Sequence, residues 1–143
     1  MAITQAIANN FKKLLLEGDS NFKASGGDKY KIALYTNSAT LNSATTSYTT
    51  GQEVGNSGQY TAGGGALVNA GTSITAGVAR CDFADRSWTG VTLTARGALI
   101  YNSSQSNKGV AVLDFGGDKT ATAGTFTIQF PAFTTSAAIL RIS

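Results

Sequence analysis

The sequence contains no histidine, only one cysteine and only one proline. Without histidine the chain lacks the commonest general base and the commonest metal ligand, and a Ser-His-Asp triad is impossible. A single cysteine forms no disulfide within the chain, and Cys81, in the strand-like run V-A-R-C-D-F, is expected to be a buried thiol. No apolar run reaches the ~18 residues of a membrane-spanning helix, so we expect no membrane partner.

Charge is also scarce. Charged residues make up 13% of the chain, against about 25% in a typical soluble domain. This composition fits a protein that packs against copies of itself or a larger partner, and it equally fits a β surface solvated by Thr, Ser and Asn. The net charge is +3, but Lys and Arg are scattered. Because nucleic-acid sites need clustered basic residues, we expect no nucleic-acid partner.

No catalytic motif is complete. The letters D-F-G at 114–116 match a kinase tripeptide, but the other kinase motifs are missing and the chain is too short. The glycines at 63–65 lack the Lys-Ser/Thr pair of a phosphate-binding loop. The carboxylate pairs Asp82/Asp85 and Asp114/Asp118 are close in sequence, but neither makes a calcium loop. We therefore expect no enzyme activity, no cofactor and no metal site.

One stretch has the period of a helix. Ile3, Ile7, Phe11, Leu14 and Leu15 recur on one face, which predicts a helix over residues 3–17. Gly18 follows the last apolar residue and can end the helix in the left-handed conformation. The first residues, M-A-I-T-Q-A-I, have no basic segment followed by an apolar stretch, so no signal peptide is expected. Residues 1–18 are accordingly predicted as an N-terminal helical unit.

The rest of the chain has the pattern of strands. Three apolar runs between 91 and 130, separated by N-S-S-Q-S-N-K-G and G-G-D-K-T-A-T-A-G, predict a three-stranded meander. Further strands are predicted at 30–36, 66–70, 73–83 and 137–142, with a turn at 70–72. Short sequential strands with Gly-rich turns indicate an all-β fold. We expect an antiparallel β-sandwich, or a partly open barrel, of seven or eight strands over residues 19–143, preceded by the helix.

Residues 37–65 are rich in Thr, Ser and Gly and are predicted to form a long loop. Such loops are uncommon in compact domains and are often functional. The loop could anchor to the body of its own chain or reach across to a neighbour, and its large side chains together with the helix face supply the interface candidates. These candidates are Ile3, Ile7, Phe11, Leu41, Tyr48, Val54 and Tyr60.

Five phrases are distinctive as sequence. They are G-G-D-K-Y-K-I-A-L-Y-T-N-S-A-T-L-N at 26–42, Y-T-A-G-G at 60–64, F-A-D-R-S-W at 83–88, T-A-R-G-A-L-I-Y-N at 94–102 and V-L-D-F-G-G-D-K at 112–119. Together they resemble a family of small virion proteins of tailed bacteriophages, over nearly the whole chain. The resemblance implies a structural part of the virion, made in the cytoplasm of the host bacterium. It carries across no functional residue.

Three functions follow as hypotheses. The first is a capsid decoration (cement) protein that binds the major capsid protein and copies of itself, for instance as a homotrimer. The second is a tail or neck component, such as a fibre, tube or adaptor subunit. The third is a β-sandwich that binds host glycans through exposed aromatic rings, for which the candidates are Trp88, Tyr48, Tyr60 and Tyr101.

Overall fold

The computed structural model describes residues 2–131 and 138–142. It confirms the all-β class, with two antiparallel sheets and one short helix in a sandwich-like arrangement. Eight strands are described, within the predicted number. In chain order the elements are β1 (Ala6–Ile7), α1 (Asn9–Leu16), β2 (Tyr30–Tyr35), β3 (Gly65–Ala66), β4 (Asn69–Thr75), β5 (Val78–Phe83), β6 (Arg86–Asn102), β7 (Lys108–Ile128) and β8 (Leu140–Ile142).

A hairpin of two long strands dominates the molecule. Strands β6 and β7 pair from Arg86↔Ile128 to Asn102↔Lys108, and they lie at the centre of a five-stranded sheet of order β1-β7-β6-β2-β3. The predicted three-stranded meander is therefore wrong, because the expected second turn, G-G-D-K-T-A-T-A-G, lies inside β7. The first expected turn, between β6 and β7, is confirmed.

The turn-like residues within β7 form bulges instead of a reversal. Between the pairs Ala95↔Lys119 and Gly97↔Asp114, β6 advances by two residues and β7 by five. Gly116 in this bulge has φ 79°, a left-handed conformation that glycine adopts without steric cost. A β-bulge bends and twists a strand without ending it, so β7 continues to Ile128.

The smaller sheet has the order β4-β5-β8. Its hairpin turns at Ala76 and Gly77, with φ of 52° and 79°, and both positive angles suit a two-residue turn between twisted strands. The turn predicted at 70–72 is wrong, since Gly71 lies at a register shift within β4. The predicted last strand began at 137, which is outside the described residues, and the described part runs over Leu140–Ile142.

The N-terminal helix is shorter than predicted. Residues 3–8 are extended, because Ala6 and Ile7 pair with Val112 and Ala111 of β7 and the Ala8 amide donates to the Val110 carbonyl at 2.9 Å. These sheet hydrogen bonds override the helical period of the apolar residues. The helix begins at Asn9 and its expected end is confirmed, with Gly18 at φ 77°.

Both faces of the five-stranded sheet are covered where β2, β6 and β7 meet. On β2, Ile32 and Leu34 face the larger core, which the smaller sheet and Phe11 of α1 complete. Ala33 and Tyr35, on the alternate positions, face a second cluster on the back of the sheet. This back cluster consists of Ile3, Ala33, Tyr35, Ala39, Leu41, Leu99, Tyr101 and Val112, with Tyr48 packed against it.

Candidate functional site

The loop over residues 37–65 is anchored to its own chain. Its backbone forms bridges from Leu41 to Ile3, from Ser47 to Lys108 and from Glu53 to Tyr35. Its large side chains fill both cores, since Leu41 lies in the back cluster and Val54 and Tyr60 lie in the larger core. Of the two possibilities raised by the sequence, the described structure has the loop packed on the chain's own sheet.

A group of four tyrosines around one carboxylate fastens the loop. We call Tyr35, Tyr48, Glu53, Tyr60 and Tyr101 the Tyr–Glu cluster. Glu53 accepts hydrogen bonds from the hydroxyls of Tyr48 and Tyr60, at 2.5 and 2.7 Å, and from the Gly63 amide at 2.7 Å. The Tyr101 hydroxyl donates to the Gly63 carbonyl at 2.6 Å. The Glu53 carboxylate therefore ties the loop to itself, and the Tyr101 hydroxyl ties the loop to the sheet.

Burial raises the pKa of every phenol in the Tyr–Glu cluster, with the negative charge of Glu53 adding to the effect. The Tyr60 hydroxyl also accepts a hydrogen bond from the Leu34 amide at 2.8 Å. The polar atoms are thus occupied by partners in the same chain, and the phenols stay protonated at neutral pH. Such a fully connected network suits a structural clamp.

The structure divides the seven predicted interface residues. Ile3, Phe11, Leu41, Val54 and Tyr60 are buried within the chain, because the loop and the N-terminal segment serve as covering layers of the sheet. Their interface role stays a prediction, and Phe11 also lines the groove described next. Tyr48 is half-buried and stacks on Tyr101, with ring centroids 4.8 Å apart. Ile7 alone among the seven is exposed, at 39%.

Ile7 borders an uncovered apolar surface, which we call the apolar groove. The groove has a volume of about 410 Å³ and lies between the N-terminal segment with α1 and the smaller sheet. One wall consists of Ile7, Phe11, Leu15, Leu16 and Phe22, and the other of Thr72, Ala79, Cys81, Leu140 and Ile142. The register pairs Thr72 with Cys81 and Cys81 with Leu140, so these side chains point to one face of the smaller sheet.

The walls of the groove are exposed at its mouth. Leu16 is 89% exposed and Ile142 is 60% exposed. Contiguous apolar surface that is exposed in this way commonly marks an interaction site. Deeper in the groove, the Cys81 thiol is buried, and burial raises its pKa to about 12. A thiol with such a pKa is protonated at neutral pH, so Cys81 is not an activated nucleophile.

The sequence predicted one wall of the groove in part and missed the other. Ile7 and Phe11 were identified from the helical pattern, although Ile7 belongs to β1. Leu140 and Ile142 alternate with Ile139 and Arg141, which indicated a strand but not what that strand would face. Glu53 gave no signal, because a lone acidic residue in a polar loop has the composition of any solvated turn.

Other kinds of site find little support in the described part of the chain. Residues 2–131 and 138–142 contain no group of three or more metal-ligating side chains. The one helix described there, α1, is too short to cross a bilayer. Comparison with known proteins adds no relative, because no family model, no curated protein and no solved structure matches the chain.

Proposed function

We propose that the chain is a non-enzymatic structural protein of a tailed-bacteriophage virion, and that it serves as a decoration (cement) protein bound to the major capsid protein shell. The five sequence segments that resemble small virion proteins are the basis for proposing a role in the virion. The observation that carries the binding role is the apolar groove, whose exposed walls include Leu16 and Ile142. A partner surface that filled the groove would bury these side chains and gain about 25 cal/mol for each Å² of apolar area.

The anchoring of the 37–65 loop supports a structural role. The Tyr–Glu cluster holds the loop against the sheet through hydrogen bonds within the chain, so the body of the protein is preorganised. A preorganised domain loses little conformational entropy on binding. The sparse charge supports the same role, since an interface between surfaces with few ions needs little costly desolvation.

The glycan-binding alternative loses its support. That hypothesis needed exposed aromatic rings, but Trp88, Tyr60 and Tyr101 are buried. Trp88 lies in the larger core against Tyr60, with ring centroids 5.4 Å apart. Only Tyr48 among the four aromatic candidates keeps partial exposure, and one half-buried ring makes a poor platform.

The test is the copy number and position of the chain in purified particles. Electron cryomicroscopy with quantitative gel densitometry gives both. We expect density on the outer shell in a number close to that of the major capsid protein, and heads lacking the chain should burst at a lower temperature. A few copies at the tail or neck would overturn decoration in favour of a fibre, tube or adaptor subunit. Absence from particles would overturn the virion role itself.

A further inference from the structure

The sheet surface beside the apolar groove continues past the groove itself. Across the three strands of the smaller sheet, Ile74 pairs with Ala79 and Ala79 pairs with Ile142. Directly paired residues of antiparallel strands project their side chains to one face. Cys81 and Leu140 lie two residues along their strands and line the groove, so they share that face. We call the groove, extended by Ile74, the groove face.

Exposed apolar side chains are concentrated around the groove face. Ile74 is 71% exposed, and it lies in the row next to the groove. Ile7, Leu16 and Ile142, which are also exposed, lie on the walls of the groove. Scattered apolar residues are normal on a soluble protein, whereas a contiguous group marks an interaction site. The groove face therefore fits a partner with an apolar surface.

The groove face combines projections and a recess in one patch. Leu16, Ile74 and Ile142 carry large exposed side chains, while Ala79 between the two isoleucines is small. The groove next to them has a volume of about 410 Å³. A two-fold contact needs a self-complementary patch, because residue i of each copy meets residue j of the other. Projecting aliphatic side chains beside a recess meet this requirement, since each copy supplies both parts.

The extent of the groove face suits a weak dimer. Three strands about 4.8 Å apart beside a helix about 10 Å in diameter span roughly 20–25 Å. Strands β4 and β5, of seven and six residues, are about 20 Å long. Each copy would bury on the order of 500 Å², and the pair on the order of 1,000 Å², near the lower limit for a specific interface. We therefore expect a dissociation constant in the micromolar range.

Charge opposes a two-fold contact little. From α1, Lys12 lines the groove, and its ammonium group donates to the Asn9 side-chain carbonyl at 3.3 Å. Glu17 carries the opposite sign about 7.5 Å further along the same helix. Arg80 and Arg141 occupy the alternate register positions, so their side chains leave the sheet on the opposite face. Two copies would thus meet mainly through apolar side chains.

We infer that the groove face binds a second copy of the chain in a two-fold symmetric dimer. The projecting aliphatic side chains of each copy would pack in the recess of the other. The inference deepens the proposed function, on which it rests for its setting, because it names a neighbouring copy as the surface that fills the groove. On a shell that holds copies side by side, a weak contact gains strength from the high effective concentration.

Sedimentation equilibrium of the purified chain tests the dimer directly. We expect a reversible equilibrium between monomer and dimer, with a micromolar dissociation constant. Added sodium chloride should leave the dimer intact, because salt screens ion pairs but not apolar contacts. A dimer that salt dissociates would depend on ion pairs and would overturn the inference, as would a complex of three chains.

Matched variants locate the contact and test its symmetry. A fluorescent tracer carries its dye at Val68→Cys, outside the groove, since the native Cys81 thiol is buried. Ile74→Ser should bind the tracer about fivefold more weakly and itself about 25-fold more weakly, because a two-fold contact occurs twice. Leu16→Ser should act in the same way from the helix. Val68→Ser, at 67% exposure, should pair normally. Circular dichroism checks that the variants fold.

Three further outcomes would overturn the inference. They are a chain that stays monomeric up to about 1 mM, an equal loss in Val68→Ser, and an Ile74→Ser variant that binds the tracer as weakly as it binds itself. The dimer and the proposed function fail separately, since sedimentation needs no virion. A dimer whose chain is absent from particles would refute the virion role alone, and a monomeric chain that decorates the shell would refute the dimer alone.

Discussion

The two halves of the β6–β7 hairpin differ in how many of their faces are covered. In the half next to the turn, Gly97–Asn102 of β6 are all buried. In the other half, from Arg86 to Ala95, buried and exposed residues largely alternate. We call these the turn half and the open half. A strand buried on both faces has a nearly continuous apolar sequence, whereas a half-exposed strand alternates, and one pair of strands here shows both patterns.

The covering layer of the back face explains the difference. In the turn half, Leu99 lies beneath Ile3 and Leu41, which the N-terminal segment and the 37–65 loop supply. In the open half no such layer is described, and the outward positions carry hydroxyls. Thr94 bonds to Thr120 at 2.9 Å and Ser87 to Thr127 at 2.8 Å. The loop therefore decides which part of the hairpin belongs to the interior.

Alkaline pH should detach the layer that the 37–65 loop and the N-terminal segment form over the back face. The two halves of the hairpin would then no longer differ in burial. Burial raises the folded-state pKa of all five tyrosines above their ordinary value of 10.0. Their contribution to stability is fully present below pH 10 and is lost as pH rises beyond it, because the unfolded chain releases these protons first. We expect phenolate absorbance and far-UV circular dichroism to change together, in one cooperative transition above pH 10.

The matched control for the alkaline experiment is the same titration in a denaturant that keeps the chain unfolded. There the phenols should titrate near 10. If the native chain instead ionised its tyrosines near pH 10 with its circular dichroism intact, the Tyr–Glu cluster would be open to solvent and the clamp would be refuted.

Truncation of one back-face side chain in each half compares the two halves directly. Leu99→Ala in the turn half should lower the free energy of unfolding by about 2–5 kcal/mol, because it leaves a cavity under the loop. Thr94→Ala in the open half removes an exposed hydroxyl and should change it by less than about 0.5 kcal/mol. Urea unfolding measures both. Similar losses in the two variants would mean that the back face is equally covered, or equally bare, along the hairpin.

Removal of one hydroxyl group tests the Tyr–Glu cluster with a smaller structural change. Tyr60→Phe keeps the ring in the larger core but deprives the buried Leu34 amide of its acceptor and Glu53 of a donor. We expect a loss of about 1–3 kcal/mol, the range for a buried group left without its partner. Tyr48→Phe, at a half-buried position with one bond to Glu53, is the control and should lose less. The reverse order would place the main anchor at Tyr48.

The sequence indicated where the backbone adopts positive φ, but not whether the residue with positive φ would form a turn or a bulge. Gly71 and the run at 116–124 were both interpreted as turns, and both are bulges within strands. Ala76-Gly77 was placed inside a strand and is a turn. A left-handed residue serves a bulge or a reversal equally well. The choice depends on whether a partner strand continues beyond it, which is tertiary information.

The same limit applies to the N-terminal segment and to the candidate site. The apolar spacing from Ile3 to Leu15 fits one face of a helix, yet the first half of that segment satisfies its backbone in the edge of a sheet. That Ile7 would lie across the groove from Ile142, 135 positions away in the sequence, follows only from the tertiary structure. By contrast, strand β2, predicted over 30–36, and the helix end at Gly18 were predictable because local sequence patterns determine them, and the buried Cys81 thiol follows the usual preference of a free cysteine.

The smallest expected effect concerns the backbone of the open half. Ala123 has φ 45° at the bulge where the pairing shifts between Val91↔Gly124 and Leu93↔Ala121. A left-handed conformation costs a residue with a Cβ about 1–2 kcal/mol, while glycine is more costly to order by about 0.5–1 kcal/mol. Ala123→Gly should therefore raise the free energy of unfolding slightly, by up to about 1 kcal/mol.

The matched change Gly116→Ala, at φ 79° with open space around the added methyl, should lower the free energy of unfolding by a similar amount. Thermal unfolding of the two variants decides whether these bulges, which keep β7 continuous through its turn-like residues, are held by backbone conformation: shifts of the same sign would show that they are not.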